Sequence, residues 1–420
     1  MKIAIIGAGI SGVSAGRILK EKGIESVLYE KSGRPGGLVQ CDWVKGNLFH
    51  KVGGHVFNAK DKEVSDWFWS HFDRENEFIK AERNAKILLN GKLIGYPLEN
   101  HLYTLPPEEV ATIVNDLLSL QKNGYKDPYS YPHFSAFLKG NFGDTLYEIY
   151  FKPYNQKIWQ TDLTTVPMNW LEGKLPMPDF NKIFLNNITR AGEKEMVHST
   201  FYYPKKGGSQ FIIDRLAEGL MIKADHPVEK FEYRNGKWTV NGEEAYDQII
   251  YTGDVRMLGS IFHSGSIDSS TKSLLKYLMQ LRSNGTSNML CHTDPTDLSW
   301  LYLPDPQTKS HRIIYTGNFS PENNVRGARK TCVVEFSGKV YEAVMVEEIK
   351  SLPGNLTPIA TNYEPNSYVI QSPDTRSKIE ELKKAMAPAK FFLSGRFAEW
   401  EYYNMDKAIE AIIRLTKSNT

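Results

Sequence analysis

The chain has 420 residues, 41% of them hydrophobic and 24% charged, with a formal net charge of +2. This composition suits a globular protein of two or three structural units with a sizeable core. The near-neutral charge gives no footing for nucleic acid or an anionic membrane surface as a partner, and no apolar run approaches the roughly 18 residues of a membrane span.

Lys2 to Ile6 (KIAII) reads as a short apolar strand, followed by Gly7-Ala8-Gly9-Ile10-Ser11-Gly12 and a helix from Val13 to Lys22. A second strand, Ser26 to Tyr29, ends at Glu30. This is GxGxxG between strand and helix, with an acid about twenty residues on, the arrangement that binds a dinucleotide. Gly7 allows the turn, Gly9 lets the backbone approach a pyrophosphate, and Gly12 lets the helix pack on the strand. The helix N-terminus offers free N–H groups and its positive dipole end to the phosphates. Glu30 is placed to take both ribose hydroxyls. With a strand starting at residue 2 there is no room for a signal peptide. Cys41, Cys291 and Cys332 are far apart and without metal spacing, so they read as reduced buried thiols of a cytoplasmic protein.

Further on, His50 to Phe57 (HKVGGHVF) sets paired glycines between two histidines, as suits backbone pressed against a flat ligand. His50 reads as structural. A helix is expected over residues 64–72, a hairpin over Ala85–Leu93 turning at Asn90-Gly91, and a helix from Pro106 to about Gln121. Phe134 to Ile158 reads as a second helical region that Pro153 should bend or divide. Phe201–Pro204 is extended and leads through Gly207-Gly208-Ser209 into a helix, Gln210–Gly219. Val228–Val240 reads as a hairpin turning at Asn235-Gly236, and Gln248–Tyr251 as a buried strand. Residues 286–371 are mostly strand-like. The strand Lys390–Leu393, the turn Ser394-Gly395-Arg396 and a helix from Asp406 to about Lys417 close the chain.

Two resemblances sharpen this reading. The second glycine pair in Lys31-Ser32-Gly33-Arg34-Pro35-Gly36-Gly37 resembles the extended fingerprint of the glutathione-reductase-like flavoproteins, where it borders the FAD pyrophosphate. It favours FAD over NAD. Four segments in register then resemble the UDP-galactopyranose mutase family: Gly53–Phe57, Tyr150–Trp159 (YFKPYNQKIW), Trp300–Pro304 with His311–Tyr315, and Gly395–Asp406 (GRFAEWEYYNMD).

That resemblance implies an α/β fold: a discontinuous Rossmann-type FAD-binding domain, a helical insert and a mainly antiparallel β-sheet substrate domain. The boundaries expected are 1–80, 204–280 and 386–420 for the FAD domain, 98–180 for the insert, and 81–97, 181–203 and 281–385 for the sheet. The family interconverts pyranose and furanose forms of UDP-galactose with no net redox. Reduced FAD attacks the anomeric carbon through N5 and expels UDP, and the flavin-bound sugar opens and recloses on a different hydroxyl. This implies a nucleotide-sugar substrate, and NAD(P)H or another reductant to prime the flavin. It leaves a homo-oligomer open.

The expected cofactor-binding residues are Gly7, Gly9, Ser11, Gly12, Glu30, Lys31, Gly36, Gly37, Leu38, Gly54, Gly395, Arg396, Asn404, Met405 and Asp406. His55 is expected against the flavin ring and Arg312 on the substrate pyrophosphate. Tyr302, Tyr368 and Tyr402 match tyrosines that the family uses on the phosphates, and are otherwise ordinary core tyrosines. Phe151, Tyr154, Asn155 and Trp159 form an aromatic stripe at helical spacing, which is commonly core; the match turns them toward nucleotide and sugar. One departure is Lys174, in Trp170-Leu171-Glu172-Gly173-Lys174, where the family has an arginine. It keeps a cation without the planar fork and leaves open another nucleotide sugar, such as UDP-N-acetylgalactosamine or dTDP-fucose. Rivals from other classes are an amine-oxidase-like or protoporphyrinogen-oxidase-like flavoenzyme, and a flavin-binding protein without catalysis.

Overall fold

A computed structural model describes residues 1–124, 126–168, 178–190, 200–262 and 265–419. Five parallel strands form the first sheet, in the order Phe391–Leu393, Gln248–Tyr251, Lys2–Ile6, Glu25–Tyr29 and Met221–Lys223. The last strand of the chain thus pairs beside Gln248–Tyr251, and the dinucleotide half is assembled from both ends of the sequence. Alternate residues of Lys2–Ile6 feed two cores. Ile3 and Ile5 pack with the helices Ile10–Glu21, Gly208–Ala217 and Met405–Asn419; Ala4 and Ile6 pack toward Trp238, Tyr246 and the helices Ser269–Leu278 and Thr375–Met386. A strand covered on both faces has no polar side, which is why the residues after the partly exposed Lys2 (IAII) are uniformly apolar.

The second sheet has seven strands, in the order Thr357–Ile370, Arg282–Thr293, Lys330–Ser337, Ser310–Ile314, Trp300–Tyr302, Ala85–Leu89 and Lys92–Gly95. All neighbours are antiparallel except Trp300–Tyr302 and Ala85–Leu89. One face is apolar, with Met289, Cys291, Leu301, Ile313, Val334 and Phe336 in a core with the helix Glu342–Ile349. The other face carries Tyr302, Arg312, Glu335 and Asn288, and forms one wall of the site.

The helical insert shows where local reading fell short. The region 134–158 is divided at Gly143, which has φ +87°, into Phe134–Phe142 and a continuation that passes through a π-helical turn at Tyr147–Phe151 into Lys152–Trp159. Pro153 therefore sits in the first turn of the last segment, where its missing N–H is tolerated, and the wide turn before it removes the clash with the carbonyl four residues back. Two elements not expected within the strand-rich stretch and after it are the helices Glu342–Ile349 and Thr375–Met386. All three cysteines are free and buried. Among the described residues no helix is long and apolar enough to cross a membrane.

Candidate active site

The glycine turn separates two kinds of glycine. A Cβ on Gly12 would lie 1.8 Å from the Gly7 carbonyl oxygen, so the fold itself requires glycine there. Gly9 has an ordinary φ of −75°, and a Cβ on it would meet only the Gly37 Cα, at 3.8 Å. The protein leaves that space open, as a cradle for a pyrophosphate requires. Gly36 donates its N–H to the Ala8 carbonyl at 2.9 Å, which brings the second glycine pair against the first. The helix Ile10–Glu21 begins without a side-chain cap, so its first N–H groups remain available.

Glu30 is buried, and its carboxylate accepts from the Ala8 N–H at 2.8 Å and from the Ser32 N–H and hydroxyl at 2.9 and 2.6 Å. These bonds fix it at the end of its strand while lone pairs remain for ribose hydroxyls. Gly395 adjoins Ser11: a Cβ on it would lie 2.6 Å from the serine hydroxyl oxygen. Lys31 is exposed, and Leu38 lies in the 3-10 turn Gly37–Val39. Asn404 is exposed just before the helix that Met405 and Asp406 open, and burial raises the Asp406 carboxyl above its usual range.

The wall facing this cradle is built from side chains distant in sequence. Tyr368 and Tyr402 stack with centroids 5.6 Å apart and planes 3° from parallel, and Trp159 meets both edge-on. The Arg396 guanidinium lies 4.1 Å from the Tyr402 ring centroid. Tyr154 meets Tyr302 edge-on at 5.6 Å and stacks on Tyr150. Phe151 is buried beside Tyr150 and Phe142. Asn155 spends its amide N–H on the Phe151 carbonyl one turn back, at 2.7 Å, leaving its carbonyl oxygen for any ligand.

Arg312 is more tightly partnered than its sequence suggests. Its Nη2 donates to both oxygens of Glu335 at 2.9 Å and to the Tyr368 hydroxyl at 3.3 Å. Tyr368 donates in turn to Glu335, at 2.8 Å. A β-bulge at His311 sets two residues opposite one, so His311 also reaches Glu335, at 2.9 Å. Burial alone would raise the Glu335 carboxyl; Arg312 and His311 overturn that and hold it well below the usual carboxylate range.

His55 lies close by on the Gly53-Gly54-His55 turn. Burial, then the Arg396 and Arg312 charges, lower its pKa to about 4, so the imidazole is neutral at pH 7. Three buried nitrogens here lack a hydrogen-bond partner: His55 Nε2, Arg312 Nε and Arg396 Nε. The two arginine nitrogens are donors and the neutral imidazole Nε2 an acceptor, and such unpaired groups mark where a ligand belongs. With the open cradle at Gly9, they fit the FAD and the polar substrate expected from the sequence.

His50, by contrast, is fully internal and bonded to the Tyr203 hydroxyl at 2.6 Å, as a structural histidine. Lys174 lies outside the described residues, as do Trp170 and Leu171. Sequence reasoning missed Glu335 and Arg83, whose guanidinium donates to the Tyr302 hydroxyl and lies 4.9 Å from the Tyr96 ring centroid. The signal for Glu335 was present: a single acid inside the apolar run Thr331-Cys332-Val333-Val334-Glu335-Phe336, which is costly unless paired.

A sheet of this order beside an open glycine cradle defines a Rossmann-type dinucleotide-binding protein, and residues 5–72 match the family model of the NAD(P)-binding Rossmann-like domain. Most of the chain is similar in sequence to a UDP-galactopyranose mutase, and all of it in fold. It is 24% identical over 345 residues to a probable UDP-galactopyranose mutase of Klebsiella pneumoniae, covering 80% of this chain and 78% of that one. It is 24% identical over 216 residues to a dTDP-fucopyranose mutase of Escherichia coli, 48% of this chain and 54% of that one. Among solved structures, a reduced UDP-galactopyranose mutase superposes with a TM-score of 0.87 at 21% identity, over 100% of this chain and 96% of that chain. A putative protoporphyrinogen oxidase from Exiguobacterium sp. 255-15 gives 0.75 at 14% identity, over 99% and 98%. The expected resemblance therefore holds in sequence and in fold, and the fold alone is shared with an oxidase.

Proposed function

We propose that this protein is an FAD-dependent mutase that interconverts pyranose and furanose forms of a nucleotide sugar, with UDP-galactose the leading substrate. The observation that carries the reading is the convergence of His55, Arg312, Arg396, Tyr368, Tyr402 and Trp159 on one wall, with two guanidinium N–H groups and the His55 Nε2 buried and unpaired. An oxidase has no need of an arginine–tyrosine wall of this kind.

Reduced flavin, when bound, supplies the nucleophilic nitrogen that this chemistry needs at the anomeric carbon. The protein residues bind and orient. The two glycine turns and the uncapped helix N-terminus hold the cofactor pyrophosphate, and Glu30 its ribose. Arg312 donates from Nε to the substrate pyrophosphate, held in place by Glu335. Because Glu335 balances its charge, Arg312 acts as a fixed donor more than as a free cation, and Lys174 is assigned the second cationic role. Neutral His55 offers Nε2 to the flavin side of the site without adding charge. Trp159, Tyr154 and Phe151 exclude water from the nucleotide and sugar, and Tyr302 and Tyr402 present hydroxyls.

The test is to reduce the purified protein with dithionite, add UDP-galactofuranose and look for UDP-galactopyranose. Conversion with no stoichiometric NAD(P)H use is expected. Steady hydrogen peroxide production coupled to substrate oxidation would point to an oxidase instead. If dTDP-fucopyranose turns over and UDP-galactose does not, the sugar assignment changes and the mechanism stands.

A further inference from the structure

Five neighbouring strands of the large sheet place directly opposed polar residues in one transverse row: Asn362, Asn288, Glu335, Arg312 and Tyr302. Residues directly opposed across a sheet share a face; on this one Asn362, Asn288, Glu335 and Arg312 lie against residues 51–53, and Tyr302 against Tyr96 and Tyr154. Glu335 and Arg312 form the ion pair, with Tyr302 beside it. The two asparagines have no part in that pair, yet Asn288 is fully buried, where an apolar residue would avoid the cost of desolvation.

Their partners explain them. Asn288 Oδ1 accepts from the Gly53 N–H at 3.2 Å, and Asn362 Nδ2 donates to the Lys51 carbonyl at 2.9 Å. A cross-strand pair thus grips the Gly53-Gly54-His55 turn on its N-terminal side. The turn lies close over the row: a Cβ on Gly53 would be 3.1 Å from Glu335 Oε2 and 3.3 Å from Arg312 Nη2, and one on Gly54 would be 2.6 Å from Ile314 Cγ2. Asn288 also reaches the other cation near His55. Its Nδ2 donates to Thr286 Oγ1 at 3.2 Å, Thr286 Oγ1 pairs with Ser367 Oγ at 2.7 Å, and the Ser367 carbonyl accepts from Arg396.

We propose that Asn288, supported by Asn362, is a positioning residue that fixes the Gly53-Gly54-His55 turn relative to Arg312 and Arg396. The turn has no ladder partner for the Gly53 N–H, so its height above the sheet is set by these two side chains. The same frame anchors the arginines flanking His55, so turn and arginines hold one geometry. The functional part of this inference rests on the mutase reading; the geometric part does not.

The experiment uses FAD-loaded enzyme and measures amide exchange across residues 51–57, the flavin absorbance spectrum, and kcat and KM separately. Asn288→Ala should keep its FAD content and speed exchange in that segment at least tenfold, equivalent to about 1.4 kcal/mol. It should also alter the flavin spectrum and lower kcat with KM little changed, since Glu335 still holds Arg312. Asn288→Asp keeps the acceptor but faces the buried Glu335 carboxylate, so it should restore protection only when combined with Glu335→Gln, which a general packing role would not predict. Asn362→Ala tests the Lys51 side should Asn288→Ala fail to fold, and Tyr363→Phe, on the other face of that strand, is the control. Unchanged exchange in every folded asparagine variant overturns the proposal. A wild type without mutase activity sinks the proposed function instead, while exchange and spectrum still decide the positioning role.

Discussion

The two halves of the site are made in different ways. The dinucleotide cradle is mostly backbone: a turn, a helix N-terminus and a second turn laid against the first, all within residues 7–37. The facing wall is side chains: residues 154, 159, 302, 312, 335, 368, 396 and 402 come from a helix, four strands and the closing turns, and meet only through strand register and the packing of helix and turns on the sheet. Local sequence carries the first kind of site because its geometry is written in adjacent residues. It carries the second poorly, since a one-residue slip turns every side chain of a strand to the other face.

The sharpest break between the halves should come within the cradle itself. Gly12→Val should leave no soluble folded protein, because the side chain would occupy the space of the Gly7 carbonyl. Gly9→Ala should fold with the melting temperature of FAD-stripped wild type yet purify without FAD, because only a ligand needs that space. If Gly9→Ala keeps its flavin, the pyrophosphate does not lie where the turn places it.

In the facing wall, charge balance should dominate. Arg312→Ala should keep its FAD, lose turnover and cost about 3–5 kcal/mol of stability, because it strands the buried Glu335 carboxylate. Adding Glu335→Gln to it should recover most of that stability and none of the turnover. A double variant as unstable as the single one would mean that the loss comes from packing and not from the stranded charge.

A smaller effect is expected beside the wall, at Glu99. Burial pushes this carboxyl up to about 7 from the usual 4.5, next to Tyr150. The folded state thus holds its proton more tightly than the unfolded chain. Its favourable contribution is complete below pH 4.5 and is lost as pH rises through 7. Glu99→Gln should stabilise the protein at pH 8 by up to about 3 kcal/mol and have little effect at pH 4. Equal melting temperatures of the two proteins at pH 8 would show that the carboxyl is not buried as placed.

The smallest effect compares the histidines on the acid side. Burial lowers His50 to about 3 and His55 to about 4. Both are neutral in the fold while the unfolded chain protonates near pH 6.5, so stability should fall as pH drops below about 6.5. A melt at pH 5 should show each costing about 2 kcal/mol, and His50→Gln should remove its own share. No decline between pH 7 and 5 would place both rings in water.

By itself the sequence determined the parts whose geometry is local. KIAII with its glycines, the acid at Glu30, the hairpins at Asn90-Gly91 and Asn235-Gly236 and the uncapped first helix follow from neighbouring residues, because turns, caps and period are short-range physics. The candidate substrate side chains could be named only through family resemblance. Their partners stayed hidden: nothing near Arg312 in the chain announces Glu335, and nothing near His55 announces Asn288 or Asn362. Tertiary structure decided that Gly143 divides the insert helix while a π turn accommodates Pro153, that a bulge at His311 sets two donors on one acid, and that five strands align one polar row beneath a glycine turn. The reason is register. The partners of Arg312 and Asn288 along the row are fixed by which residue lies opposite on another strand, and that is settled by the packing of the two cores and not by any segment alone.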